Sequence, residues 1–131
     1  MTQENKELLL KDLCARLPYG VKIHAKYIDT DTNTEVEKVG VLSMVDNNAV
    51  IAFTCDDTNC YNYVAIHEVK PYLFPLSSMT EEQLLELSSI SFENSIDSSI
   101  KTLNWCYKNH FDIYGLIPMG LAIDATGLNI Y

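Results

Sequence analysis

The chain has no C-x-x-C pair, no N-x-[ST] sequon and no apolar run near the roughly 20 residues that a membrane span needs. Its four cysteines, Cys14, Cys55, Cys60 and Cys106, are spaced too irregularly for a disulfide framework. A chain of 131 residues does not need such staples, because it removes roughly two-thirds of its unfolded surface from water on folding. A reducing, cytoplasmic location is therefore expected. The N-terminal "MTQENKELLLKDL" lacks the long apolar stretch of a signal peptide. There is no phosphate-cradling glycine loop, no G-x-S-x-G and no H-E-x-x-H, so the familiar signatures of nucleotide, esterase and metalloprotease chemistry are missing. No cofactor is expected.

Basic residues are also scarce. Nine Lys and Arg face eighteen Asp and Glu, for a net charge of −9. Between Lys70 and Lys101 there is no basic residue at all, while Glu81, Glu82, Glu86, Glu93 and Asp97 accumulate. A second acidic excess, ending in Asp56 and Asp57, lies within residues 29 to 57. Such a surface repels phosphate backbones and anionic membranes, which excludes direct nucleic-acid binding and membrane association. It fits docking on a protein partner with a basic surface.

What is present reads as one domain, 1 to 131, with helices at both ends of a β unit. Residues 3 to 17 carry an apolar face, Leu9, Leu10, Leu13, Cys14 and Leu17, with Glu4, Lys6, Glu7, Lys11 and Arg16 elsewhere. Pro18 ends this helix and Tyr19-Gly20 turns the chain. "VKIHAKYI" then alternates, with Val21, Ile23, Ala25 and Tyr27 on one side. "EVEKVGVLSMV" changes apolar phase between Val41 and Leu42, which predicts a bulge or bend near Gly40. Turns at "DNN" and "DDTN" separate two further strands, "AVIAFTC" and "CYNYVAI". A meander of this kind is expected to close into a small barrel rather than leave bare edges.

In "IHEVKPYLFPL", Ile66, Val69 and Pro71 resemble the short helical turn and final strand that close SH3-like barrels. The resemblance covers about residues 20 to 75 and implies an α+β fold: a five-strand SH3-like barrel, an N-terminal helix (1 to 18) and a C-terminal helical segment with a docked tail (76 to 131). Over nearly its full length the chain is also similar to a family of small proteins encoded by bacteriophages and mobile elements of anaerobic gut bacteria. "DLCARLPYG", "EVKPYLFPLSSMTEEQ" and "NHFDIYGLIPMGLAIDATGLNIY" carry that likeness. It implies a genetic setting, a bacterial host cell, and no catalytic residues to carry over.

After the barrel, "SSMTEEQLLEL" holds two overlapping capping boxes, Ser78 with Glu81 or Thr80 with Gln83. Asp97 or Ser98 is expected to cap "IKTLNWCYKNH", where Ile100, Leu103, Cys106, Tyr107 and His110 share a core face. The tail has three glycines and a proline among apolar residues and is expected to strap across the barrel or the helices.

Four places invite chemistry. "DTDTNTEVE", residues 29 to 37, puts an oxygen ligand at alternate positions, but Thr34 and Gly40 stand where a calcium loop needs glycine and glutamate. It reads as a hairpin turn, with a weak surface ion left open. Cys106, His110 and Asp112 have the spacing of an activated thiol, yet they lie on an apolar face that reads as core. Cys55 and Cys60, with His24 and His67, lack the usual ligand spacing for zinc. Tyr61 and Tyr63 alternate on one strand and Tyr72 and Phe74 on the last, as aromatics that anchor partners do. The resulting expectation is a non-enzymatic, acidic protein-binding module, with Glu81, Glu82, Glu86, Asp56, Asp57, Tyr61 and Tyr63 meeting the partner. A self-associating phage accessory protein is the alternative, and a Cys/His enzyme stands behind both.

Overall fold

A computed structural model describes residues 1–55 and 61–131. The first helix, α1 (Gln3–Arg16), is capped by Thr2, whose Oγ1 accepts from the Asn5 N–H at 3.1 Å. It buries Leu9 and Leu13 completely. Asp12 and Arg16 are equally buried, so Arg16 belongs to the packed face and not to the solvent side. Leu17–Tyr19, with Pro18 inside it, forms a 3₁₀ turn, and Gly20 at φ +66° redirects the chain.

Six strands follow: β1 (Lys22–Asp29), β2 (Thr34–Val45), β3 (Val50–Thr54), β4 (Tyr61–Ala65), β5 (Val69–Leu73) and β6 (Ile123–Asp124). Their order across the sheet is β4-β3-β2-β1-β5-β6. Every neighbouring pair is antiparallel except β5 and β6. The α+β class is as expected, but among the described residues the sheet is mixed, six-stranded and not closed. The edge of β5 is occupied by the tail, through Tyr72 opposite Ile123 and Leu73 opposite Asp124. An edge can therefore be covered without closing a barrel.

The expected bend in β2 comes at Ser43, where the register to β3 shifts between Leu42 and Met44. Gly40 serves a different need. A Cβ there would lie 2.5 Å from the Thr54 carbonyl oxygen and 2.7 Å from Phe53 Cδ2, so the backbone of β2 passes too close to β3 for any side chain. The inner face of the sheet, with Ile23, Ala25, Leu42, Ile51, Phe53, Val64, Val69 and Leu73, packs on Leu9 and Leu13 of α1. Leu116, Leu121 and Ala122 of the tail join the same core.

Two more helices complete the chain. Thr80 and Gln83 form the capping box of α2 (Glu81–Ile90), each side chain meeting the other's backbone N–H. The cap of α3 (Ile96–Lys108) is Ser95, whose Oγ accepts from the Ser98 N–H, so the helix starts before the Asp97 or Ser98 expected. These helices cover a second cluster of Trp105, Cys106 and Phe111, with Phe74, Met79, Leu87, Ile90 and Ile113 against it. Trp105 and Phe111 stack with ring centroids 5.7 Å apart.

Candidate protein-binding surface

The buried residues of α3 are Ser98, Trp105 and Cys106 on one side and Tyr107 near its C-terminal end. Ile96, Ile100 and Leu103, at i, i+4 and i+7, run along the opposite side and are exposed. The expected core face is thereby corrected: Cys106 and Tyr107 are buried, while Ile100 and Leu103 face solvent. Trp105 decides the orientation, because its indole stacks on Phe111 and only one side of α3 can meet that cluster.

The neighbouring α2 turns Gln83, Leu87 and Ile90 inward and has no fully buried residue. Leu84 and Leu85 are exposed, and Phe92, in the link to α3, is 88% exposed. One open cleft, about 330 Å³, lies between the helices and is lined by Ser89, Ile90, Phe92, Glu93, Asp97 and Lys101, with Ser98 at its floor. Ser89 of α2 lines this cleft together with Asp97 and Lys101 of α3, and helical periodicity puts Glu82 and Glu86 on the same side of α2 as Ser89, about two turns and one turn earlier. Carboxylates thus occur on the cleft side of both helices, Glu82 and Glu86 on α2 and Asp97 on α3, with Glu93 in the link between them. Among the described residues no ion pair engages Glu81, Glu82, Glu86 or Glu93, and only Asp97 is paired, to Lys101 at 3.0 Å.

Tyr61 and Tyr63 project from β4 and are 59% and 64% exposed. They line a separate cleft of about 360 Å³ with Tyr27, Ile28, Lys38 and Asn62. Lys38 reaches across β3 to donate to Asn62 Oδ1 at 3.2 Å. Because β4 is one edge of the sheet and α2 is reached beyond β5, the structure does not bring the tyrosines and Glu81, Glu82 and Glu86 into one patch. Asp56 and Asp57 lie outside the described residues, as does Cys60 and hence any Cys55–Cys60 bridge or zinc pair.

The 29 to 37 stretch is a hairpin turn. Asp29 Oδ1 accepts from the Asp31 N–H at 2.9 Å, Asn33 takes φ +52°, and Asp29 pairs with Thr34. Glu35 beyond it meets Lys26 at 2.8 Å across the strands. Among the described residues no group of three His, Cys, Asp or Glu is placed to hold a metal.

The Cys106, His110 and Asp112 arrangement does not assemble. Both carboxylate oxygens of Asp112 accept backbone N–H groups, from Leu116 at 2.8 Å and Ile117 at 3.0 Å. Asp112 therefore holds the tail and not the imidazole. Burial pushes the Cys106 thiol up, away from the thiolate, against a smaller opposing effect of Arg16. Burial, and then the Arg16 charge, lowers His110 to about 4, so its ring is neutral at physiological pH.

Sequence reasoning missed the charge at the centre of this region. Arg16 Nε donates to Asp12 Oδ2 at 2.7 Å, its Nη2 donates to the Phe111 carbonyl, and its guanidinium lies 5.1 Å from the Tyr107 ring. Burial raises Asp12, and the hydrogen bond and charge of Arg16 oppose it. The four-residue spacing of Asp12 and Arg16 was the one available signal.

A further cleft of about 470 Å³ lies between α2, the end of α3 and the tail, walled by Phe74, Phe111, His110 and Tyr131. Its polar groups are largely occupied within the fold. Ser78 Oγ donates to the Pro75 carbonyl, Thr80 and Gln83 satisfy each other, and Asn109 Nδ2 donates to the Trp105 carbonyl. Lys108 and His110, whose buried Nδ1 has no hydrogen-bond partner among the described residues, are among the groups left to orient a ligand. Among the described residues no helix is long and apolar enough to cross a membrane. Comparison with protein-family models, with curated proteins and with solved structures finds no match to this chain.

Proposed function

We propose that the chain is a non-enzymatic, acidic protein-binding module, encoded by a phage or mobile element, that modulates or inhibits a host or defence protein in the bacterial cytoplasm. One observation carries this reading: α2, α3 and their link expose Leu85, Phe92, Ile96, Ile100 and Leu103 beside Glu82, Glu86 and Glu93, which no ion pair engages among the described residues. Contiguous apolar exposure is unfavourable for a monomer and is usually covered by something. The charge around it selects for a basic cover. Glu81, Glu82 and Glu86 border this face, and Tyr61 and Tyr63 form a second, smaller anchor on β4. The genetic setting rests on the resemblance of the quoted phrases.

The fold reading goes with it. Five strands in the order β4-β3-β2-β1-β5, with a 3₁₀ turn (Ile66–Glu68) between β4 and β5, support an SH3-like unit whose barrel is left open. The enzyme alternative loses its support in the Cys106 thiol, which burial pushes up, and in Asp112, whose two carboxylate oxygens accept backbone N–H groups of the tail. Self-association through the tail is disfavoured because the tail is bonded within its own chain: the Ala125 N–H donates to the Leu73 carbonyl at 2.8 Å.

The test is a tagged pull-down from host lysate with nuclease, repeated across a salt series. We expect one stoichiometric protein whose capture falls with salt. With exposed charge pairs each contributing about 0.2–1 kcal/mol, reversing Glu81, Glu82 and Glu86 together to Lys should weaken that complex on the order of tenfold. Unchanged binding by the triple reversal would remove the acidic-surface reading.

A further inference from the structure

Resting on that reading, we propose that the α2–α3 face receives an amphipathic basic helix of the partner. Its apolar side chains would pack on Ile96, Ile100 and Leu103, and its Lys or Arg residues would meet Glu82, Glu86 and Glu93, beside the Asp97–Lys101 pair. The spacing i, i+4, i+7 on α3 makes a ridge of the kind that fits the groove of another helix. It spans about 10 Å of α3 at about 1.5 Å per residue, or two turns, and Phe92 extends it toward α2. A helix face offers no free row of backbone N–H and C=O groups, so an extended peptide has nothing to pair with here.

Other occupants fit less well. The chain's own tail is held elsewhere, through β6 and through the Tyr131 hydroxyl, which donates to the Tyr72 carbonyl at 2.7 Å. A second copy would bring one acidic face toward another in a protein of net charge −9. Nucleic acid and anionic lipid carry the wrong sign of charge. A row of Lys or Arg beside an apolar stripe satisfies both halves of the surface.

The probe is a fluorescent synthetic helical peptide of about 18 residues, long enough to hold helix in water, with Leu at i, i+3, i+4 and i+7 and Lys elsewhere. A control peptide has the same composition in strict alternation. Anisotropy titrations against the full chain should show the patterned peptide binding at least tenfold tighter than the control. Amide shifts should concentrate between Leu85 and Leu103. Ile96→Asp with Ile100→Asp should lose at least tenfold in affinity, and the milder Ile96→Ser with Ile100→Ser less. Both pairs sit at exposed positions, so their folded circular-dichroism spectra should match that of the wild type.

Equal binding of the two peptides, or binding indifferent to the Asp pair, overturns the helix site. So does sedimentation showing a dimer that the Asp pair dissociates, because the face then belongs to a second copy. The two readings also fail separately. Binding at this face that ignores salt and Glu82→Lys with Glu86→Lys keeps the helix site and removes the acidic one. Salt-dependent binding mapped elsewhere does the reverse.

Discussion

At the end of α3, His110 adopts φ +63°, a left-handed conformation that costs a side chain other than glycine, asparagine or aspartate. The turn explains why it is held there. The His110 N–H donates to the Tyr107 carbonyl and the Phe111 N–H to the Cys106 carbonyl, the paired bonds that close a helix C-terminus. The ring then stacks on Tyr131 with centroids 3.7 Å apart and planes at 9°. Because burial lowers the folded-state pKa from the ordinary 6.5 to about 4, the neutral ring's contribution is complete above 6.5. It is lost as pH falls through about 4. A shift of that size corresponds to about 3 kcal/mol, and the ring's partial exposure reduces this to about 1–2 kcal/mol. His110→Asn keeps a residue that tolerates the backbone and removes the titration. Urea unfolding at about pH 7 and about pH 4 should show the wild type losing about 1–2 kcal/mol more than the variant. Equal losses would mean that the ring is not desolvated as described.

At the scale of the element, β2 shows how far pattern reading reaches. The phase change in "EVEKVGVLSMV" revealed an irregular strand, but two causes lie close together there. Gly40 marks a close approach, and Ser43, whose Oγ donates to the Ala52 carbonyl at 3.1 Å, marks the bulge. Gly40→Ala tests the first. Its methyl group would meet Thr54 backbone and the Phe53 ring, and backbone cannot swing aside as a flexible side chain can. We expect a loss of about 1–3 kcal/mol in urea unfolding, as for other overpacked cores. A variant as stable as the wild type would show that β2 and β3 separate easily. The helices carry the complementary lesson. Ile100 and Leu103 were legible as an apolar stripe, but α3 has two apolar sides, one through Trp105 and Cys106 and one through Ile96. Periodicity identifies a stripe, and only the position of Phe111 and Leu87 selects which side is core. The most informative feature of the candidate site was therefore visible in the sequence and assigned to the wrong face.

Across the whole molecule, the tail joins parts that lie far apart in sequence. Its glycines and apolar residues made a docked strap legible, while its contribution of a sixth strand was not, because Ile123 and Asp124 have no strand-like alternation around them. Phe111 enters beside Phe74, with the Asp112 N–H donating to the Phe74 carbonyl at 2.9 Å. Ala125 bonds to Leu73, and Tyr131 finishes across β1 and β5. The Tyr131 hydroxyl accepts from the Lys22 N–H at 3.0 Å and donates to the Tyr72 carbonyl at 2.7 Å, and burial pushes its pKa up to about 12. One side chain thus bridges the two strands at the point where β5 meets the tail. Tyr131→Phe keeps the stack on His110 and removes only the hydroxyl, leaving a backbone donor and a backbone acceptor without that partner. Unsatisfied groups of this kind cost about 1–3 kcal/mol, toward the lower end here because Lys22 is near solvent. Urea unfolding should register about 1–2 kcal/mol, and amide exchange at Lys22 should accelerate while that of Phe53 in β3 follows only the global change. If Lys22 exchanges as slowly in the variant as in the wild type, the strap is held by Phe111, Leu116 and Leu121 alone. Tyr131 would then only cover the His110 ring.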